Sequence, residues 1–286
     1  MKYKIGIVGV GMVGEQVRRW FELKKYDVVA YDKFKGIGIA EDLDSANLIF
    51  LCLPSAYSKK VKTGVDTSIF EDFIKRFDEP KLFVIKSTVP PGTSDDLQQK
   101  FPQHKFFHSP EFLTEVTAWE DFSKPYLQLL GFSDNNMKQA QEIIKLLPNG
   151  NTNKVLSAVA TEAFKYVRNS FFALKVTFAN QVYDLCGALG INYDDFKDMM
   201  SVDPWIGANH LNVIHKGYRG FGGKCLAKDL KTFIKVYKSN KVKPVLFGAI
   251  DKINDKLLND QKLTETLNKY WLNNSIPQPA SKTKRR

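Results

Sequence analysis

Apolar residues gather into short runs early in the chain and into long periodic stripes late in it. Lys4-Ile5-Gly6-Ile7-Val8 predicts a short buried strand, and residues 12–24 predict a helix carrying Val13, Val17, Trp20 and Phe21 at helical spacing. Residues 27–31 predict a second strand. Residues 46–53 (Ala-Asn-Leu-Ile-Phe-Leu-Cys-Leu) predict a third, nearly continuous in apolar character as parallel strands covered on both faces are. A helix over 68–77 follows, then a strand over 82–86, a Pro90-Pro91-Gly92 turn, and strands over 105–108 and 126–130. Strands alternating with helices at this spacing point to a βαβ series and a parallel sheet.

Past about residue 157 the pattern changes. Residues 158–189 contain no Pro and a single Gly, Gly187, while Phe164, Val167, Phe171, Leu174, Phe178, Val182, Leu185 and Leu189 recur every three or four positions. That stripe predicts a helix of about eight turns. Phe172, Val176 and Ala179 add apolar surface on other faces, so one side is expected to be covered by a partner subunit, a homodimer formed through the 158–189 helix. Helical patterns resume over 193–200, 226–238 and 245–272. The chain reads as an α/β half over 1–150 and a helical half over 151–273, parted at Pro148-Asn149-Gly150-Asn151, with a tail over 274–286.

Composition narrows the classes. Apolar residues make up 43% of the 286 and charged residues 26%, ordinary globular usage that argues against a disordered chain. The longest apolar runs fall far short of the ~20 residues a membrane span needs. Met1-Lys2-Tyr3-Lys4 leads directly into a strand, so no signal peptide is expected. Cys52, Cys186 and Cys225 are too scattered for a disulfide framework, which points to a reducing, cytoplasmic setting.

Net charge is +11. Lys282, Lys284, Arg285 and Arg286 supply four of those positives within a Pro- and Ser-containing tail that carries no acid, and the tail is predicted to be disordered. The rest is spread along the chain without aromatic interleaving, which argues against a nucleic-acid surface. A mildly basic body suits anionic small molecules such as nucleotides.

Gly9-Val10-Gly11-Met12-Val13-Gly14 matches G-x-G-x-x-G, follows a predicted strand and opens a predicted helix. Asp32 closes the next strand 18 residues after Gly14. Those contexts together are what a dinucleotide site of the Rossmann type requires. Gly9 allows the tight turn, Gly11 lets backbone approach a pyrophosphate, and Gly14 lets helix and strand pack closely. The helix N-terminus offers amide donors and partial positive charge. Asp32 would accept the ribose hydroxyls and repel a 2′-phosphate, favouring NAD over NADP, with Lys33 and Lys35 softening the preference. The expected architecture is therefore a doubly wound, Rossmann-type sheet followed by an all-helical dimerisation domain.

A second cluster runs Gly220-Phe221-Gly222-Gly223-Lys224-Cys225-Leu226-Ala227-Lys228-Asp229. Cys225 is expected at the start of a helix, where the dipole, Lys224 and Lys228 favour the thiolate. Asp229 lies one helical turn on and shares its face. Cys52 and Cys186 have no such setting and read as core.

Together with Lys86-Ser87-Thr88-Val89-Pro90-Pro91-Gly92-Thr93, Ser109-Pro110-Glu111-Phe112-Leu113-Thr114-Glu115 and residues 162–169, where Lys165 and Asn169 stand one turn apart, this cluster resembles the UDP-glucose/GDP-mannose dehydrogenase family. The resemblance covers roughly residues 3–260 in the family's order. It implies a two-step, four-electron oxidation of a nucleotide sugar's primary alcohol to a carboxylate with two NAD, most simply UDP-glucose to UDP-glucuronate. By that resemblance Cys225 attacks an aldehyde intermediate, hydride transfer yields a thioester, and water releases the acid. Lys165 and Asn169 would stabilise the oxyanion, a role worth about 3–4 kcal/mol per well-placed donor. Asp229 and Thr88 would position water or move protons, and Glu111 would assist thioester hydrolysis. The resemblance further assigns Leu53, Pro54, Ser55, Thr88, Glu115 and Lys228 to the cofactor. It assigns Phe112, Leu113, Lys216, Tyr218, Arg219, Phe221, Gly222 and Gly223, with Glu111, Lys165 and Asn169, to the substrate.

Two departures stand out. Family members usually continue into a second nucleotide-binding unit that holds UDP; with the resemblance ending near residue 260, the expectation is either that a shorter substrate site suffices or that another chain completes it. In Asp203-Pro204-Trp205-Ile206-Gly207, Trp205 stands where many members carry an arginine that reaches substrate, and Lys216 or Arg219 would replace that charge. Two other readings share parts of the pattern. A single-step hydroxyacid dehydrogenase of the same build needs only Lys165 and Asn169, and an inactive NAD-binding chain would serve as partner to a longer one. His104, His108, His210 and His215 offer no metal-ligand spacing, so no metal is expected.

Overall fold

The computed structural model describes residues 3–222 and 225–264. The predicted tail over 274–286, Gly223, Lys224 and the end of the helix predicted to reach 272 lie outside the described residues. Contacts divide the chain into two compact units, with the division between Lys165 and Tyr166.

The first unit is built on one sheet: β1 (Ile5–Val8), β2 (Val28–Tyr31), β3 (Leu48–Leu51), β4 (Leu82–Ile85), β5 (Lys105–His108), β6 (Leu127–Phe132) and β7 (Thr152–Ser157). Their order is β2-β1-β3-β4-β5-β6-β7, so the winding reverses between β1 and β3. That reversal opens a crevice beyond the carboxyl ends of the strands, where open α/β sheets bind ligands. Every neighbouring pair is parallel except β5 and β6, which run antiparallel with Phe107 opposite Phe132. β7 was not foreseen. Its sequence Thr-Asn-Lys-Val-Leu-Ser sits at the edge of the sheet and is mostly exposed, so it carries no apolar run.

Alternating strand residues feed two cores. Ile5, Ile7, Leu48, Phe50, Val84 and Phe107 pack with Val17 and Phe21 of α1 (Met12–Leu23). Val8, Ile49, Leu51, Phe83, Ile85 and Phe106 pack on the other side with Phe70 and Ile74 of α2 (Ser68–Ile74) and Leu97 of α3 (Thr93–Lys100). Covering both faces explains why β1 and β3 are apolar throughout rather than alternating. Each fully buried Phe or Ile contributes about 1.5–3 kcal/mol of transfer free energy. α4 (Ala118–Ser123) and α5 (Met137–Ile143) complete the unit.

The long predicted helix is α6 (Ala158–Leu189), and the unit division falls within it. The second unit continues with α7 (Tyr193–Val202), the hairpin β8 (Ile214–His215) and β9 (Tyr218–Arg219), α8 (Leu226–Ser239) and α9 (Val245–Asp260). The hairpin is the one departure here from an all-helical expectation among the described residues. Ala173 of α6 packs with Phe221, Ala227, Leu230 and Ile250, and Ala179 and Cys186 pack with Tyr193, Leu211 and Val213. Small and polar residues (Asn169, Ser170, Ala173, Thr177, Asn180) thus line the buried face of α6. Most of the large apolar stripe, including Val167, Phe171, Phe178, Leu185 and Leu189, is exposed, with Phe171 at 55% and Leu189 at 62%, while Leu174 and Val182 pack inward.

Candidate functional site

The glycine motif forms the turn from β1 to α1. Gly9 has φ +83°, and a Cβ there would stand 2.6 Å from the Cys52 carbonyl oxygen, so only glycine fits. A Cβ on Gly14 would stand 1.9 Å from the Gly9 carbonyl oxygen, while one on Gly11 would meet nothing within 4 Å. Gly11 caps α1 without a side-chain hydrogen bond, and Met12 and Val13 begin its first turn. The backbone is therefore drawn tight on the protein side and left open on the ligand side, which fits a dinucleotide phosphate at a helix N-terminus.

Asp32 stands just past β2 and organises this turn. One carboxylate oxygen accepts the Val10 N–H at 2.8 Å, and the other accepts the Phe34 and Lys35 N–H groups at 3.0 Å. Lys35 closes the loop by donating from Nζ to the Val10 carbonyl at 2.6 Å, while Lys33 is exposed. Carboxylate oxygens accept more than one hydrogen bond, so Asp32 retains acceptor capacity for ribose hydroxyls. Leu53, Pro54 and Ser55 follow β3, and the Leu53 carbonyl accepts the Ser87 hydroxyl at 2.6 Å. Thr88 is half-buried in the turn after β4, and Glu115 is exposed in the segment before α4.

Also in the first unit, two lysines hold Glu111. Lys86, just past β4, places Nζ 3.1 Å from Glu111 Oε2 and 3.1 Å from Ser109 Oγ. Glu111 Oε1 accepts the Phe112 N–H at 2.9 Å, and Lys165 Nζ donates to the Glu111 carbonyl at 2.5 Å. Lys165 also stands 5.4 Å over the Phe112 ring, which packs edge-on against Phe164, and Leu113 packs on the sheet core. Neighbouring groups are held uncharged. Burial, helped by Lys86, pushes the His108 imidazole down to about 3, and burial pushes the Cys52 thiol up to about 12.

In the second unit Cys225 is exposed at the N-cap of α8. Its carbonyl accepts the Asp229 N–H at 2.8 Å, which fixes Asp229 one turn below the sulfur. Asn169 Nδ2 donates to Asp229 Oδ2 at 2.5 Å, and both residues are buried. Lys228 Nζ lies 2.7 Å from Asp229 Oδ1, yet neither atom has an aligned hydrogen-bond partner. Buried polar atoms left in this state favour an incoming ligand or water over further packing.

The loop leading toward Cys225 is fastened by Asn254, a residue outside every sequence motif described above. Asn254 Oδ1 accepts the Phe221 N–H at 2.7 Å, and its Nδ2 donates to the Phe221 carbonyl at 2.8 Å. A signal existed: Asn254 interrupts the buried stripe Ile250–Asn254–Leu258 of α9. Gly222 is half-buried beside Phe221. Tyr218 and Arg219 form β9 and Lys216 the preceding turn. The Arg219 guanidinium meets Asn180, Asp184 at 2.6 Å and the Tyr183 ring. Trp205 is 95% exposed. Among the described residues, no group of three or more His, Cys, Asp or Glu is placed to hold a metal ion, and no helix is long and apolar enough to cross a membrane.

Known proteins resemble this chain in sequence and in fold. Residues 35–147 match the profile of the NAD binding domain of the UDP-glucose/GDP-mannose dehydrogenase family, and residues 159–256 match that family's central domain. The UDP-glucose 6-dehydrogenase of Rickettsia felis is 32% identical over 246 residues, covering 77% of this chain and 53% of that protein. The enzyme of that name from Rickettsia prowazekii is 33% identical over 189 residues, covering 63% and 42% respectively. The chain thus spans about half the length of the curated relatives it matches. Among solved structures, a UDP-glucose dehydrogenase from Pyrobaculum islandicum superimposes with a TM-score of 0.78 at 24% identity, covering 94% of this chain and 72% of that one, a likeness of fold.

Proposed function

The chain belongs to the UDP-glucose/GDP-mannose dehydrogenase family, and we propose that it oxidises a nucleotide sugar at its primary alcohol, taking UDP-glucose to UDP-glucuronate through a thioester on Cys225. The observation that carries this reading is Cys225, exposed at the start of α8, with the buried Asp229 one turn on and hydrogen-bonded to the buried Asn169 of α6. A single-step alcohol oxidation needs no such nucleophile.

Gly9, Val10, Gly11, Met12, Val13 and Gly14 with Asp32 hold NAD, and Lys33, Leu53, Pro54, Ser55, Glu115 and Lys228 complete its contacts. Bound there, NAD would supply the hydride acceptor, one NAD for each of the two oxidations. Cys225 Sγ attacks the aldehyde carbon; helix-terminal partial charge favours the thiolate. Lys165 and Asn169 donate to the oxygen that becomes anionic. Asp229, held by Asn169 and paired with Lys228, takes and returns the proton, with Thr88 ordering water. Glu111 takes a proton from the water that cleaves the thioester. Phe112, Leu113, Lys216, Tyr218, Arg219, Phe221 and Gly222 contact the substrate. The exposed stripe of α6 is covered by a second copy of the chain, because an apolar surface of that length on a lone helix is costly in water.

The test is a panel of UDP- and GDP-sugars offered with NAD to wild type and Cys225→Ser. NADH formed from UDP-glucose by wild type, with net turnover lost in Cys225→Ser, is the expected result. A wild-type protein that reduces no NAD across the panel overturns the reading.

A further inference from the structure

Lys86 is a buried charged group of the first unit to which the reaction scheme gives no task. Its side chain is 2% exposed, yet it carries an ammonium group just past the carboxyl end of β4, beside the crevice of the sheet. An isolated buried cation is strongly disfavoured, so its partner matters. That partner is Glu111, 12% exposed, whose Oε2 lies 3.1 Å away. Ser109 Oγ takes a second ammonium hydrogen at 3.1 Å and is itself held by Gln128 Nε2 at 3.2 Å. His108 and Cys52, two titratable neighbours besides Lys165, are held neutral by burial.

A buried ion pair adds little net stability compared with apolar residues of the same shape. What it fixes is position. One carboxylate oxygen of Glu111 is tied to Lys86 and the other to the Phe112 N–H, while Lys165 holds the carbonyl of the same residue. The carboxylate is thereby fixed at both oxygens and at its backbone.

We propose that Lys86 is a positioning residue for the hydrolytic half of the reaction, aiming the Glu111 carboxylate at the water that cleaves the thioester. This rests on the reading given under Proposed function. In the step, a water oxygen bonds to the thioester carbonyl carbon as the carbon–sulfur bond breaks. Glu111 accepts the water proton, Cys225 leaves as thiolate, and no oxidant is consumed. Lys86 acts on that step alone, through Glu111.

The experiment compares wild type, Lys86→Met, Glu111→Gln and the double variant, each given NAD and UDP-glucose. Two quantities are followed: the NADH burst against the steady-state rate, and the intact mass of the protein during turnover. In Lys86→Met the burst persists, steady-state turnover falls about a hundredfold, as for a catalytic group misplaced by about 1 Å, and an acyl adduct accumulates on Cys225. The double variant matches Glu111→Gln, because Lys86 has nothing left to position. Burst and steady state falling together, or no adduct, overturns the proposal. So does a double variant slower than Glu111→Gln, and that comparison decides the matter if Lys86→Met alone does not fold. Wild type that forms no NADH overturns the activity itself together with this inference.

Discussion

Asn254 on α9 holds both backbone groups of Phe221, accepting its N–H at 2.7 Å and donating to its carbonyl at 2.8 Å. The pair is buried, so Asn254→Leu leaves two polar backbone groups without partners. At about 1–3 kcal/mol for each, the expected loss is roughly 2–6 kcal/mol, read from the shift in urea midpoint. A loss under about 0.5 kcal/mol, the size of an ordinary surface substitution, would show that the loop does not depend on this clamp.

Gly14 and Gly11 separate folding from cofactor binding. Gly14→Ala drives a methyl to 1.9 Å from the Gly9 carbonyl oxygen, so both thermal stability and NAD binding fall. Gly11→Ala meets no protein atom within 4 Å, so the melting temperature holds while NAD affinity drops. Calorimetric titration with NAD beside a thermal melt checks the contrast; equal effects from the two substitutions would contradict it.

Glu162 of α6 accepts the N–H groups of Gly92 (2.6 Å) and Ser94 (2.9 Å) and the Ser94 hydroxyl (2.6 Å) at the start of α3. Burial nevertheless raises its carboxyl from 4.5 to about 7. Between those values the folded state holds a proton that the unfolded chain has released, so its stability falls as pH rises through the window. The shift corresponds to a slope totalling about 3 kcal/mol. Urea unfolding of Glu162→Gln should lose this slope, and a slope unchanged from wild type would exclude Glu162 as its source.

Phe171 lies on the exposed stripe of α6. Phe171→Glu places a charge on that surface and should shift the protein from dimer to monomer in light scattering, a loss of about 2 kcal/mol or more for a central interface aromatic. A wild type already monomeric at working concentration removes the proposed interface.

Much of this molecule was legible in sequence because the relevant signals are local. β1 and β3 announce themselves by unbroken apolar runs, and Gly9 and Gly14 by a spacing that steric contact enforces. Cys225 and Asp229 are one turn apart in any helix. β7 was illegible because an exposed edge strand needs no apolar face, and the antiparallel β5–β6 pair because strand direction leaves no mark on composition. On α6, Asn169, Ser170, Ala173, Thr177 and Asn180 are buried while Phe171, Phe178, Leu185 and Leu189 are exposed, a division that apolar periodicity alone does not reveal. Lys86–Glu111 and Asn254–Phe221 join positions far apart in the chain, which only tertiary structure brings together.

The central claim is that one active centre performs both oxidations through a sulfur-bound acyl group. Counting NADH formed against UDP-glucose consumed, under excess NAD, addresses it most directly. Two NADH per sugar, with UDP-glucuronate as product, is the predicted ratio. One NADH per sugar with the aldehyde released, or none, would contradict it.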